Sequence, residues 1–211
     1  QGLEPSREGS ESELPITGPG LLERCTRAYL QSALGHFEGI EVSRASVNRS
    51  GRCVAAKPTT GMPGVADEVI VDDLPDFCDV EVLLTGPGGH VARIAIWVPI
   101  AWNGRFMGTA GGGLRTEMPF GLPPYLRAMT MDFPLRRGFA TAKTDGANRK
   151  PQPAAWGLLE GTDQIDWPLT ESWIHRSTHD MTVVAKAVIE ALHGKLPRFA
   201  YLIGCSGGGR Q

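Results

Sequence analysis

Five residues close to the last position of this 211-residue chain, Gly204-Cys205-Ser206-Gly207-Gly208, constrain the fold more than any other stretch. They follow an apolar run, Phe199 to Ile203, and fit the pattern G-x-S-x-G. In that pattern a serine sits on a strained strand-to-helix turn with its hydroxyl exposed, and the glycines permit the tight bend. Because the run 199–203 is apolar on both faces, it is expected to be a central parallel strand.

Upstream, the elements alternate. Leu21 to Leu34 has a helical pattern, with Leu22, Ala28, Tyr29, Ala33 and Leu34 as its inward face. Val80–Leu84 and Val91–Val98 are apolar β-type runs around a Gly/Pro turn, which predicts an antiparallel hairpin. Phe106–Thr109 is a short strand followed by Gly111-Gly112-Gly113, Tyr125–Leu135 a short helix, and Phe139–Lys143 another strand. A Pro-rich loop covers Met118–Pro124, and Lys150–Gly161 is a surface loop. The strongest helix lies between Ser172 and His193, with Met181, Val184, Val188 and Leu192 at spacings of three and four. Gly194 is placed to cap it and Pro197 to stop it. The order predicts an α/β fold with a mainly parallel sheet and an antiparallel N-terminal hairpin.

Composition excludes some partners. A net charge of -2 argues against nucleic acid and acidic membrane surfaces. No apolar run approaches the roughly 20 residues of a transmembrane helix. Gln1–Gly20 has neither a positive n-region nor an apolar core, so no signal peptide is expected there; an exported protein would be in its mature form. Residues 1–17, rich in Gly, Ser, Glu and Pro, are expected to form a flexible tail ahead of a catalytic-domain portion at 18–211. The four cysteines, Cys25, Cys53, Cys78 and Cys205, allow three full pairings or four reduced thiols, and no spacing matches a zinc site.

Ser206 is the candidate nucleophile, and the backbone amide of Gly207 beside it is a candidate oxyanion donor. A second donor comes from the glycine-rich segment after an earlier strand, at Gly111 or Gly112. The general base does not fit. All five histidines (His36, His90, His175, His179, His193) precede Ser206, whereas this fold places acid and histidine after the serine. His179 is expected to be a packed structural residue, and His175 and His193 to lie on the helix surface. Asp145 is a turn former ahead of Gly146. Gly86–Gly89 lacks the G-K-[ST] ending of a phosphate loop, and Trp97, Trp102, Trp156, Trp167 and Trp173 are expected to be packing residues.

These stretches resemble the tannase and feruloyl esterase family of secreted serine hydrolases. The resemblance is carried by Phe77-Cys78-Asp79-Val80, Trp102-Asn103-Gly104-Arg105-Phe106, Gly138-Phe139-Ala140-Thr141 through Asp145-Gly146, the helix Trp173–Ala187, and Tyr201 to Gln211. It implies a Cys-Ser, Asp, His-Cys arrangement in which Cys205 bridges to a cysteine outside this chain. It also implies a Cys25–Cys78 bridge, leaving Cys53 without a mate. Further implied are an acid and histidine outside this chain and a separate lid domain that can bind calcium, with no cofactor within residues 1–211. The chain departs from the family at Ala110, inside the glycine run, and at Ala147-Asn148.

The expected function is therefore a secreted serine carboxylesterase acting on small aromatic esters such as gallates or ferulates. Its remaining C-terminal part, or a second chain, completes the site, and residues 1–211 alone are expected to be inactive. The alternatives are another secreted serine hydrolase (a terephthalate monoester hydrolase, polyester depolymerase or xylan esterase) or a non-catalytic binding module.

Overall fold

The computed structural model describes residues 20–56, 68–117, 120, 124–148 and 155–211. The expected tail at 1–17, most of the loop 118–124 and residues 150–154 of the expected surface loop lie outside the described residues.

Two short helices, α1 (Leu21–Arg24) and α2 (Arg27–Ala33), replace the single helix predicted over 21–34. The chain breaks at Cys25, which is bonded to Cys78 as the family resemblance implies. Thr26 then caps α2 by accepting from the Tyr29 amide. This break resets the helical phase. Leu21, Leu30 and Leu34 are buried, whereas Leu22, Ala28 and Tyr29, expected inward, are exposed.

Three strands without a prediction follow: β1 (Ile40–Asn48), β2 (Cys53–Ala56) and β3 (Glu68–Val71). The predicted hairpin is formed by β4 (Phe77–Thr85) and β5 (Val91–Pro99). Beyond it come β6 (Arg105–Thr109), a 3-10 turn at Pro124–Met129, α3 (Asp132–Leu135) and β7 (Ala140–Thr144). The predicted helix over 172–193 is one part of a longer run. It starts at α4 (Trp167–Glu171), widens through a π-turn at Ser172–Arg176, and continues as α5 (Ser177–His193). Gly194 ends it at φ 73, a left-handed geometry that suits glycine. Last are β8 (Phe199–Ile203) and α6 (Gly207–Arg210).

Six strands make one sheet in the order β1-β4-β5-β7-β6-β8, while β2 and β3 pair separately. The pairs β1/β4, β4/β5 and β5/β7 are antiparallel; β6 pairs in parallel with both β7 and β8. Alternation along β4 and β5 divides the core. Cys78, Val80, Val82, Ile94, Ile96 and Val98 share one cluster with Met181, Val184 and Val188 of α5. Phe77 and Trp97 turn to the other face, with Met131 and Leu135. Each such side chain, fully buried, contributes about 1.5–3 kcal/mol.

Among the described residues β8 pairs along its β6 edge, and Phe199, Tyr201 and Leu202 are each 46% exposed. Two further expectations are corrected. Trp167 is exposed although Trp97, Trp102 and Trp156 are buried. Finally, two histidines exchange roles. His179 points outward, its Nδ1 3.2 Å from Asp180 Oδ1, while His193 is buried with its ring 4.7 Å from that of Trp102.

Burial lowers the pKa of His193 to about 4, helped by the nearby Lys195 and Arg24 and opposed by the Pro99 backbone. A histidine depressed below its unfolded value of 6.5 takes up its proton more readily in the unfolded chain. Stability should therefore fall as pH drops from about 6.5 towards 4, by up to about 1.4 kcal/mol per pH unit. In denaturant titrations at pH 7 and pH 4.5, a His193→Leu variant should show a smaller acid loss than the parent. An equal loss in both would rule out His193 as its source.

Candidate active site

Parallel pairing of β6 with β8 runs from Arg105 opposite Phe199 to Thr109 opposite Ile203, so both strands end at the same edge of the sheet. The Ala110 amide still donates to the Ile203 carbonyl at 2.9 Å. Past these last pairs the two chains diverge, one into the glycine loop and the other into the turn carrying Ser206. This shared edge brings together two segments that lie nearly a hundred positions apart.

Ser206 has φ 54 and ψ -115 and is exposed. Positive φ in a non-glycine residue costs of order 1–3 kcal/mol and persists only where surrounding structure enforces it. Here the enforcement is visible in the close fit of glycines. A Cβ on Gly204 would lie 2.6 Å from the Gly208 carbonyl oxygen. One on Gly207 would meet the Gly113 oxygen at 2.2 Å and the Gly112 carbonyl carbon at 3.0 Å. One on Gly208 would meet the Gly111 oxygen at 2.5 Å. Gly207 and Gly208, which follow the predicted nucleophile, are thus in direct backbone contact with the glycine run 111–113.

The glycine loop is tied down at several points. Gly111 N–H donates to Gln211 Oε1 at 2.9 Å, and the Gly112 carbonyl accepts from the Arg115 amide at 3.1 Å. The Leu114 carbonyl receives two donors, Trp173 Nε1 at 3.0 Å and Asn148 Nδ2 at 3.2 Å. At the far end, Glu117 lies 3.0 Å from Lys143 of β7 and 3.7 Å from Arg93 of β5. Burial alone would raise the Glu117 pKa, but Lys143 and Arg93 outweigh it, so its carboxyl is held below the usual range.

The π-turn is what aims Trp173. Ser177 Oγ bonds to the Ser172 carbonyl at 2.7 Å, and Ser172 Oγ to the Gly146 carbonyl at 2.9 Å. Such widened turns bulge a helix locally and are frequent at functional sites. On its other contacts the Trp173 indole lies 4.9 Å from the Trp156 ring and carries the Arg210 guanidinium 3.3 Å from its centroid. Burial lowers the Arg210 pKa. Sequence reasoning assigned Trp173 to packing; its link to the loop depends on a π-turn that periodicity does not reveal.

Asp145 is a turn former, as predicted: its Oδ1 accepts from the Ala147 and Arg93 amides at 3.0 and 2.8 Å. No histidine among the described residues is hydrogen-bonded to Ser206. His90 bonds to Asp166 at 3.0 Å, His175 faces Glu171 at 3.9 Å, and the His36 ring lies tilted against that of Phe37 with centroids 4.1 Å apart. Cys205 is exposed with a free thiol. Cys53 is also free, its pKa raised by burial and by Asp79, so it is no activated nucleophile. Among the described residues there is no group of three or more potential metal ligands. No described helix is long and apolar enough to cross a membrane.

Residues 85–211 match the profile of the family described as tannase and feruloyl esterase. A probable feruloyl esterase of Arthroderma benhamiae is 36% identical over 140 residues, 64% of this chain and 25% of that protein. A probable feruloyl esterase B of Aspergillus niger is 28% identical over 204 residues, covering 95% of this chain and 36% of the relative. Among solved structures, an esterase from Aspergillus oryzae superposes with a TM-score of 0.66 at 20% identity, over 90% of this chain and 34% of its own. A tannin acyl hydrolase from Aspergillus niger gives 0.60 at 19% identity, over 93% and 34%. The two structures share the α/β fold with this chain, which spans a quarter to about a third of the length of these relatives.

Proposed function

Since the chain belongs to the tannase and feruloyl esterase family, we propose that it carries the nucleophile and oxyanion hole of a serine carboxylesterase acting on aromatic esters. The observation behind this reading is Ser206, held at φ 54 on the turn after β8, with its neighbours Gly207 and Gly208 packed against the glycine loop after β6.

In the proposed reaction Ser206 Oγ attacks the ester carbonyl carbon while its proton passes to a histidine outside residues 1–211. An acid, also outside them, orients that histidine. The carbonyl oxygen becomes an alkoxide and receives the Gly207 amide and one amide of the glycine loop. Collapse expels the alcohol, which takes the proton from the histidine. Water then hydrolyses the acyl-serine and releases the acid. Gly111 already donates its N–H to Gln211, which leaves Gly112 better placed than Gly111 to serve the oxyanion.

Esters of phenolic acids, gallates or ferulates, are the proposed substrates, in keeping with the names of the relatives. The Cys25–Cys78 disulfide supports residence in an oxidising compartment, hence secretion. Cys205 is proposed to bridge to a cysteine outside this chain. Any calcium would belong to a lid domain beyond residues 1–211.

A fluorophosphonate probe tests the reading. In the complete protein it should label Ser206, identified by peptide mapping, and block hydrolysis of methyl ferulate or methyl gallate. A folded protein that stays unlabelled and hydrolyses neither ester would refute it. A second check follows from the fit at the turn. Gly207→Ala would drive a Cβ into the Gly113 carbonyl and separate the two amides. The kcat of the complete protein should fall about 100-fold or more, measured beside an unchanged circular dichroism spectrum.

A further inference from the structure

We infer that Gln211 and Trp173 are positioning residues, which hold the glycine loop in register with Ser206 and leave the Gly112 amide as the second oxyanion donor. The inference rests on the esterase reading above and assigns roles to two side chains outside the nucleophile and its amides.

The argument starts from the backbone. The loop at 111–114 is rich in glycine, so little in its own sequence fixes its dihedrals. An oxyanion donor has to stand within about 2.7–3.1 Å of where the oxygen will be, so a loose loop forfeits most of its value. Two tethers remove that freedom, and both lead to the helix that follows the serine. Gln211, five positions after Ser206, accepts the Gly111 N–H directly at 2.9 Å. Arg210, four positions after Ser206, lies 3.3 Å from the Trp173 ring centroid, and the same indole donates to the Leu114 carbonyl at 3.0 Å. The loop is therefore held at both ends by the nucleophile's own helix, once directly and once through Trp173.

These tethers also decide between the two candidate donors. The Gly111 N–H is engaged by Gln211, and the Gly112 carbonyl is engaged by the Arg115 amide. The Gly113 nitrogen and the Gly112 carbonyl carbon stand 2.8 and 3.0 Å from where a Cβ of Gly207 would be, so residues 112–113 are the part of the loop that borders Gly207. Of the two candidate donors, Gly112 is therefore the one whose N–H is not taken by Gln211. Neither Gln211 nor Trp173 needs to touch substrate; each acts through the loop.

Substitutions in the complete protein separate this role from simple packing. Gln211→Leu removes the acceptor at similar volume, Gln211→Glu keeps an acceptor oxygen, and Trp173→Phe keeps an aromatic face for Arg210 but loses the N–H. For Gln211→Leu and Trp173→Phe, kcat should fall about 10- to 100-fold with KM within about twofold. Binding of an aryl trifluoromethyl ketone, which forms a tetrahedral alkoxide on the serine, should weaken by the same factor. Gln211→Glu should recover kcat to within a few fold of the parent. Unchanged kcat and ketone affinity in folded Gln211→Leu and Trp173→Phe would overturn the inference. So would Gln211→Glu losing as much as Gln211→Leu, with melting temperature and activity falling together. Fluorophosphonate labelling of the parent separates the two levels. An unlabelled parent removes the esterase reading and this inference with it, whereas a labelled parent with kinetically identical variants removes only the inference.

Discussion

Replacing Ser206 with alanine should reduce ester hydrolysis by the complete protein about 10⁴-fold or more and leave its fold intact. The size of the effect follows from removing the only atom proposed to form the covalent intermediate; the oxyanion amides left behind support only residual turnover. Stability should not drop, because the side chain is exposed and Ser206 adopts positive φ at a cost that alanine inherits unchanged. Initial rates on methyl ferulate, together with a thermal melt, check both halves. A Ser206→Ala protein retaining more than about a tenth of the parental rate would show that another group performs the chemistry.

Loss of the Cys25–Cys78 bridge should be the largest single stability effect among the changes considered. The bond links positions 53 apart, and closing a loop of that length stabilises the fold by about 4 kcal/mol in the chain-entropy model. Both sulfurs are buried, and the bond ties the break between α1 and α2 to the start of β4. A Cys25→Ser, Cys78→Ser double variant should therefore unfold at a markedly lower denaturant midpoint, by about 2–5 kcal/mol. An unchanged midpoint under non-reducing conditions would mean that packing around Leu30 and Leu34 carries the N-terminal helices without the bond.

Much of the candidate site was legible in the sequence because its parts are local. Ser206 and its flanking glycines, the glycine run after β6, and the strands that end at each lie within short windows of strong pattern. The helix α5 was equally clear, since Met181, Val184, Val188 and Leu192 repeat at helical spacing and all are buried. The misreadings come from long-range constraints. A disulfide to Cys78 breaks the first helix and moves its buried face, which no window around Leu22 or Tyr29 reveals. The strand β1 escaped notice because its alternation is diluted by polar residues on a half-exposed edge. His179 and His193 were exchanged because a helical pattern gives the inward face but not which end of it meets Trp102. The tethers from Gln211 and Trp173 could not be read at all, since each joins segments far apart in the chain.

The widened turn at Ser172–Arg176 makes the long helix sensitive to length as well as to composition. A π-turn accommodates one residue more than a regular helix would, and each residue of an α-helix advances the chain by roughly 100°. Deleting a single residue there would regularise the hydrogen bonding while swinging everything on its N-terminal side, Trp173 and the Asp166-capped start included, around the axis relative to α5. One inserted amino acid thus works as a phase adjuster, letting the buried stripe of α5 and the indole upstream satisfy two different directions at once.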